Sequence, residues 1–206
     1  MAKREEGITE SLLLCAKKEF LEKGYKDASL REIAEKAGTS TGAIYIRYPD
    51  KGALFSALVE PVAEGLMGRF RAAQDEHFDL IPAGRTETSQ AFSTAYLYRF
   101  LDYIYENFDA FKLLICRSGG TSYQDFLHEL VRLEVEQSER YYRQLRAAGK
   151  IEGTLDREVH HMLTSAYFTA VFEVVAHDMP KEKARAYVEQ LACFFNAGWN
   201  SLIRWK

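Results

Sequence analysis

The chain has 206 residues, 47% of them apolar, and a net charge of −3. It is long enough to bury a core as one compound domain or two small ones, and its apolar share excludes a disordered chain. Its slight acidity does not point to nucleic acid, no apolar run approaches the roughly 20 residues of a membrane span, and the charged start, Met1-Ala2-Lys3-Arg4-Glu5-Glu6, lacks a signal-like apolar stretch, so a cytoplasmic protein without membrane contact is expected.

Apolar residues recur at helical spacing almost throughout and β-branched alternation is scarce, which predicts an all-α fold. A first helix spans about 5–23, with Ile8, Leu12, Cys15, Ala16 and Phe20 on one face. Gly24 is its cap, and Tyr25 packs back on its end. Ser29-Leu30-Arg31-Glu32 reads as a capping box opening a second helix, its serine hydroxyl and Glu32 carboxylate satisfying backbone N–H groups reciprocally. Leu30, Ile33, Ala34 and Ala37 form its buried stripe. Gly38 breaks it, Ser40 caps a short third helix ending near Tyr48, Pro49 closes that helix and Asp50 caps a fourth. The fourth helix spans about 51–76, and Pro61 within it is expected to end or kink it locally. Within this helix the chain divides into an N-terminal domain, 1–55, and a C-terminal domain, 56–206. After a polar loop at 79–86, helices are predicted at about 87–107, 110–117, 122–148, 156–177 and 181–204.

The pair of short helices around Gly38-Thr39-Ser40 fits a helix-turn-helix. That motif needs a small residue where the helices cross (Ala34), a residue that tolerates positive φ at the turn (Gly38) and an apolar anchor in the second helix (Ile44). Thr41, Gly42 and Ala43 are small enough for close approach to DNA, and the helix N-terminus favours a phosphate. Charge alone says little: between Gly24 and Gly52, Lys26, Arg31, Lys36, Arg47 and Lys51 barely outweigh Asp27, Glu32, Glu35 and Asp50. Each feature also occurs between ordinary core helices; their order and spacing together carry the DNA-binding reading.

The whole segment Gly24-Tyr25-Lys26-Asp27-Ala28-Ser29-Leu30-Arg31-Glu32-Ile33-Ala34-Glu35-Lys36-Ala37-Gly38-Thr39-Ser40-Thr41-Gly42-Ala43-Ile44-Tyr45-Ile46-Arg47-Tyr48-Pro49-Asp50-Lys51 resembles the DNA-binding signature of the tetracycline-repressor (TetR) family. The resemblance implies a three-helix DNA-binding domain followed by a helical ligand-binding and dimerisation domain. It places Thr39, Thr41, Gly42 and Ala43 against base edges or nearby phosphates, and Tyr45 and Lys51 on the DNA backbone. Ser29 and Arg31 would touch the flanking backbone, and Lys3 and Arg4 would add contacts as an arm. Ser40 and Ile46 complete the expected DNA-facing set. Arg47 has two readings, a bidentate pair with guanine or a phosphate contact, and the phosphate is favoured. Ile46, Arg47 and Gly52 depart from the family pattern. Tyr48 is assigned to the core.

In the last two helices, Tyr167, Val171, Val174, Leu191 and Phe195 are assigned to an interface in which two subunits share a four-helix bundle. The resemblance favours such a homodimer, which would bind a pseudo-palindromic double-stranded operator. Phe92, Tyr96, Tyr103, Phe126, Tyr141 and Phe168, with His161 as a polar contact, are assigned to a cavity for an apolar or aromatic effector. No cofactor is expected. Cys15, Cys116 and Cys193 are too scattered for a disulfide framework or a zinc site. Glu158-x-x-His161 and Asp125-x-x-His128 lack the paired bridging glutamates of a metal bundle, so a metal enzyme is a minor alternative. A helical interaction module without DNA affinity is the other.

Overall fold

The computed structural model describes residues 2–78 and 89–205, so the expected 79–86 loop lies outside the described residues. The fold is all-helical: α1 Ala2–Asp27, α2 Leu30–Lys36, α3 Thr41–Arg47, α4 Lys51–Phe78, α5 Ser89–Glu106, α6 Phe108–Lys112, α7 Phe126–Ala147, α8 Arg157–Ala176 and α9 Lys181–Leu202. A π-helical turn, Leu113–Arg117, continues α6. The helical periodicity does not signal a two-residue antiparallel clasp, β1 Ile151–Glu152 with β2 Arg204–Trp205, pairing Ile151 with Trp205. The clasp covers a small core of Tyr141, Leu145, Ile151 and Ile203.

The described chain forms two compact units, Met1–Gly65 with Asn107–Phe126, and Leu66–Glu106 with Leu127–Lys206. Helix α4 runs from one into the other. Pro61 does not end it: the helix continues to Phe78 with the proline inside. The compact units therefore part at 65/66 rather than 55/56, and α6 with its π-turn joins the first unit, where it packs on α1. Phe111, Leu113 and Leu114 are buried there, and Lys17 on α1 meets Asp109 on α6 at 2.8 Å.

Local chemistry accounts for the short helices of the first unit. Gly24 leaves helical geometry at φ 76°, ending the regular part of α1. Tyr25 then folds back on Phe20 and Phe55, with ring centroids 6.1 and 5.4 Å away. After α2, Gly38 takes φ 66°, while Gly38 N–H donates to Glu35 O and Thr39 N–H to Ala34 O. This pair of bonds is the Schellman closure that a left-handed glycine permits, and it turns the chain at once into α3.

Candidate nucleic-acid interface and cavity

In the first unit, Ile33, Ala34 and Ile44 are buried, so α2 and α3 are anchored by the residues the motif requires. Ser40 caps α3, its Oγ accepting from Ala43 N–H at 3.2 Å. Ser29 caps α2 by accepting from Glu32 N–H at 3.4 Å. The reciprocal half of the expected capping box is absent. Glu32 instead takes the Lys23 ammonium at 2.7 Å, and Glu19 of α1 accepts from Ser29 N–H at 3.4 Å. A tertiary carboxylate has replaced the local one.

Glu19 is wholly buried and anchors α2. Its carboxylate accepts from Lys23 at 2.9 Å and from Lys36 at 2.8 Å. Burial pushes its pKa up, but the two ammonium groups and the Ser29 amide outweigh burial and hold it down to about 2. Glu32 and then Glu19 raise the Lys23 pKa, and Glu19 raises that of Lys36. These two cations are thus engaged within the fold.

With Ile44 facing inward, the opposite side of α3 faces outward. Gly42, Tyr45 and Ile46 are exposed, Tyr45 by 54% and Ile46 by 85%. Arg31 and Ser40 are exposed, while Ser29, Thr39, Thr41 and Ala43 are half-buried. Two expected contact residues are partly occupied. Arg47 Nε donates to Thr9 Oγ1 at 3.1 Å, and its Nη1 donates to Ala43 O at 3.0 Å. Lys51 Nζ donates to the carbonyls of Lys26 and Ala28 at 3.0 and 3.1 Å and lies 4.8 Å above the Tyr25 ring. The side chains of Lys3 and Arg4 lie outside the described residues.

The second unit contains a cavity of about 290 Å³, lined by residues of α4, α5, α7, α8 and α9. Tyr96, Tyr141 and Phe168 line it as expected. Phe126 does not: it is buried in the first unit. Tyr103 is not among the lining residues, and its ring stacks under the Arg69 guanidinium, 3.7 Å away. His161 faces a separate surface hollow beside Arg132 and Met162. Its neighbour His160 lines the cavity instead, in helical phase with Thr164 and Val171; one residue along a helix turns a side chain by about 100°. Phe92 lies on α5, but its side chain is outside the described residues. Sequence reasoning missed Phe70, Gln74, Glu134, Ser138, Tyr142 and Trp199 in the lining.

The expected dimer-interface residues are mostly turned inward. Tyr167, Val171 and Phe195 line the cavity, Val174 is wholly buried and Leu191 is half-buried. The apolar stripes of α8 and α9 are wide enough to serve two faces, and these residues occupy the inner one. The outer face carries Met162 and Ala166 on α8, and Phe194, Ala197 and Gly198 on α9. Met162 is 67% and Phe194 73% exposed. Among the described residues, no three or more His, Cys, Asp or Glu side chains gather to hold a metal ion. No described helix is long and apolar enough to cross a membrane.

Residues 12–58 match the profile of the bacterial regulatory proteins, tetR family. The HTH-type transcriptional repressor BepR of Brucella suis is 39% identical over 67 residues, 32% of this chain and 28% of that protein. The HTH-type transcriptional regulator YvdT of Bacillus subtilis is 33% identical over 79 residues, 36% of this chain and 41% of that protein. The chain thus spans less than half the length of these curated relatives. Solved structures match nearly the whole fold. SmeT, repressor of the Stenotrophomonas maltophilia multidrug efflux pump SmeDEF, superimposes with a TM-score of 0.61 at 17% identity, covering 92% of this chain and 88% of that one. NalD, secondary repressor of the MexAB-OprM multidrug efflux pump in Pseudomonas aeruginosa, gives 0.55 at 20% identity, covering 93% and 96%.

Proposed function

We propose that the protein, whose residues 12–58 match the profile of the tetR family of bacterial regulatory proteins, is a cytoplasmic, homodimeric transcriptional repressor that leaves a pseudo-palindromic operator when a small apolar or aromatic effector binds. The first compact unit reads the DNA through residues 1–55, and the second, Leu66–Glu106 with Leu127–Lys206, binds the effector and the second subunit. The observation that carries the reading is the outward face of α3, where Tyr45 and Ile46 stand exposed beside the small residues Thr41 and Gly42. An exposed isoleucine is poorly suited to water and well suited to a thymine methyl group in the major groove. Tyr45 reaches a phosphate through its hydroxyl. Lys51 has three ammonium donors, of which two hold carbonyls, leaving one for a phosphate. Arg47 keeps Nη2 for the same use, which favours phosphate contact over bidentate base reading.

The second subunit is placed on the outer α8–α9 face, through Met162 and Phe194, with Ala197 and Gly198 allowing close helix approach. Effector release follows from population shift: the ligand must bind the DNA-incompetent form more tightly, or it shifts nothing. Helix α4 supports the coupling, since its C-terminal half lines the cavity through Leu66, Phe70 and Gln74 while its first residue, Lys51, holds the end of α1.

The test is selection of bound fragments from random DNA at fixed, near-physiological salt, because phosphate contacts make affinity steeply salt-dependent. A Tyr45→Ala/Ile46→Ala variant is the control, since both side chains are exposed and their loss spares the core. Enrichment of a pseudo-palindrome, lost in the variant, is expected. A folded dimer that enriches nothing would overturn the regulator reading in favour of a helical interaction module.

A further inference from the structure

Resting on the reading of the second unit as an effector-binding one, a single side chain identifies the chemistry of the effector. Glu134 on α7 lines the cavity. It is surrounded by protein yet keeps accessible surface, and that surface faces the cavity. Oε2 accepts from Gln74 Nε2 at 2.8 Å and Oε1 accepts from Ser138 Oγ at 2.6 Å. Both donors are neutral. Among the described residues, no lysine or arginine lines the cavity, and no cation pairs with Glu134.

We propose that the cavity takes an organic cation, a quaternary or protonated amine on an apolar or aromatic body, with Glu134 as its counter-charge. A carboxylate largely removed from water and held only by neutral donors favours an incoming positive charge, because little solvent screens the pair. Burial raises the Glu134 pKa against the two neutral hydrogen bonds that lower it, because no positive side chain faces the carboxylate. The other ionisable group of the lining that could carry positive charge does not supply it, since burial lowers the pKa of His160. Tyr142 and Tyr167 feel the Glu134 charge, which adds to the effect of burial in raising their pKa values, to about 12 for Tyr167. Their rings and that of Phe168 offer faces that attract a cation, and Tyr167 packs edge-on against Phe168 at 5.6 Å. An anionic amphiphile of the same size would meet like charge.

The test uses three probes of matched shape: a phenylalkyl trimethylammonium, its uncharged tert-butyl isostere and the corresponding phenylalkyl carboxylate. Binding to the full chain is measured by calorimetry. The cation should bind at least tenfold more tightly than the isostere, and the carboxylate weakest. Glu134→Gln keeps the size of the side chain and can still bond Ser138 and Gln74. It should erase the preference while leaving isostere affinity within about twofold and the melting temperature at or above the wild-type value. A cation preference that survives Glu134→Gln, or its absence in the wild type while the isostere still binds, overturns the charge assignment and leaves the effector site standing. If no probe binds the folded protein, the effector-site reading falls with it.

Discussion

Replacement of Glu19 by Gln tests whether a buried ion cluster sets α2 on α1. The carboxylate is wholly buried, while its partners Lys23 and Lys36 keep 31% and 49% of their side-chain surface in water. A fall in pKa from 4.5 to about 2 corresponds to an upper bound of about 3 kcal/mol at 1.36 kcal/mol per unit. Water around the two ammonium groups screens part of this, leaving about 1–2 kcal/mol at neutral pH. Because the folded-state pKa lies below the ordinary value, the stabilisation is complete above pH 4.5 and fades as pH falls towards 2. Urea unfolding of wild type and Glu19→Gln, at one protein concentration and several pH values, reads the difference directly. The wild-type advantage should be constant from pH 7 to about 5 and shrink below that. An advantage that is unchanged down to pH 2, or already gone at pH 6, would refute the assignment of Glu19 as a charged anchor. DNA affinity at pH 7 should fall with stability, since Glu19 also accepts from Ser29 N–H at the start of α2.

Other consequences follow from the second unit. Phe194→Asp combined with Met162→Asp places charge on the outer α8–α9 face, so light scattering should report monomers with unchanged helicity; a dimer that persists would move the interface elsewhere. Val174→Ala should cost about 2 kcal/mol of stability through a buried cavity and leave the oligomeric state unchanged, since Val174 is wholly buried within its own protomer. Gln74→Met removes the donor that links α4 to Glu134. Probe affinity should then change only a few-fold, while probe-driven release of DNA weakens in fluorescence anisotropy; undiminished release would remove Gln74 from the coupling.

The first unit was legible because its signals are local. Ser40, Gly38, Ile44 and the Pro49-Asp50 break each act within a few residues, and each sits where its chemistry requires. The capping box shows the limit of such reasoning. Glu32 stands at the correct spacing for reciprocity, yet two lysines offer it a charged partner and Glu19, ten residues before Ser29, takes the amide. The same limit hides the 107–126 segment, which joins the first unit through burial of Phe111, Leu113 and Leu114 against a helix far away in sequence. Pro61 cost the helix one backbone donor without breaking it, because the turns on either side continue the pattern.

The cavity was legible in composition and not in phase. Aromatic richness marked its neighbourhood, but choosing among rings needed the helical angle, and His161 for His160 is an error of one residue. The signal for its polar centre was nonetheless present. On α7, Leu130, Tyr141 and Leu145 are buried at helical spacing, and Glu134 with Ser138 falls on that same stripe. A carboxylate in phase with a core stripe departs from the pattern that burial alone would select, because its desolvation costs several times what a leucine there would contribute. The departure is compensated when a ligand supplies the missing charge. An acid on an apolar stripe, where most of the other described acids lie on solvated faces, is therefore the sequence signal behind the proposed cation site.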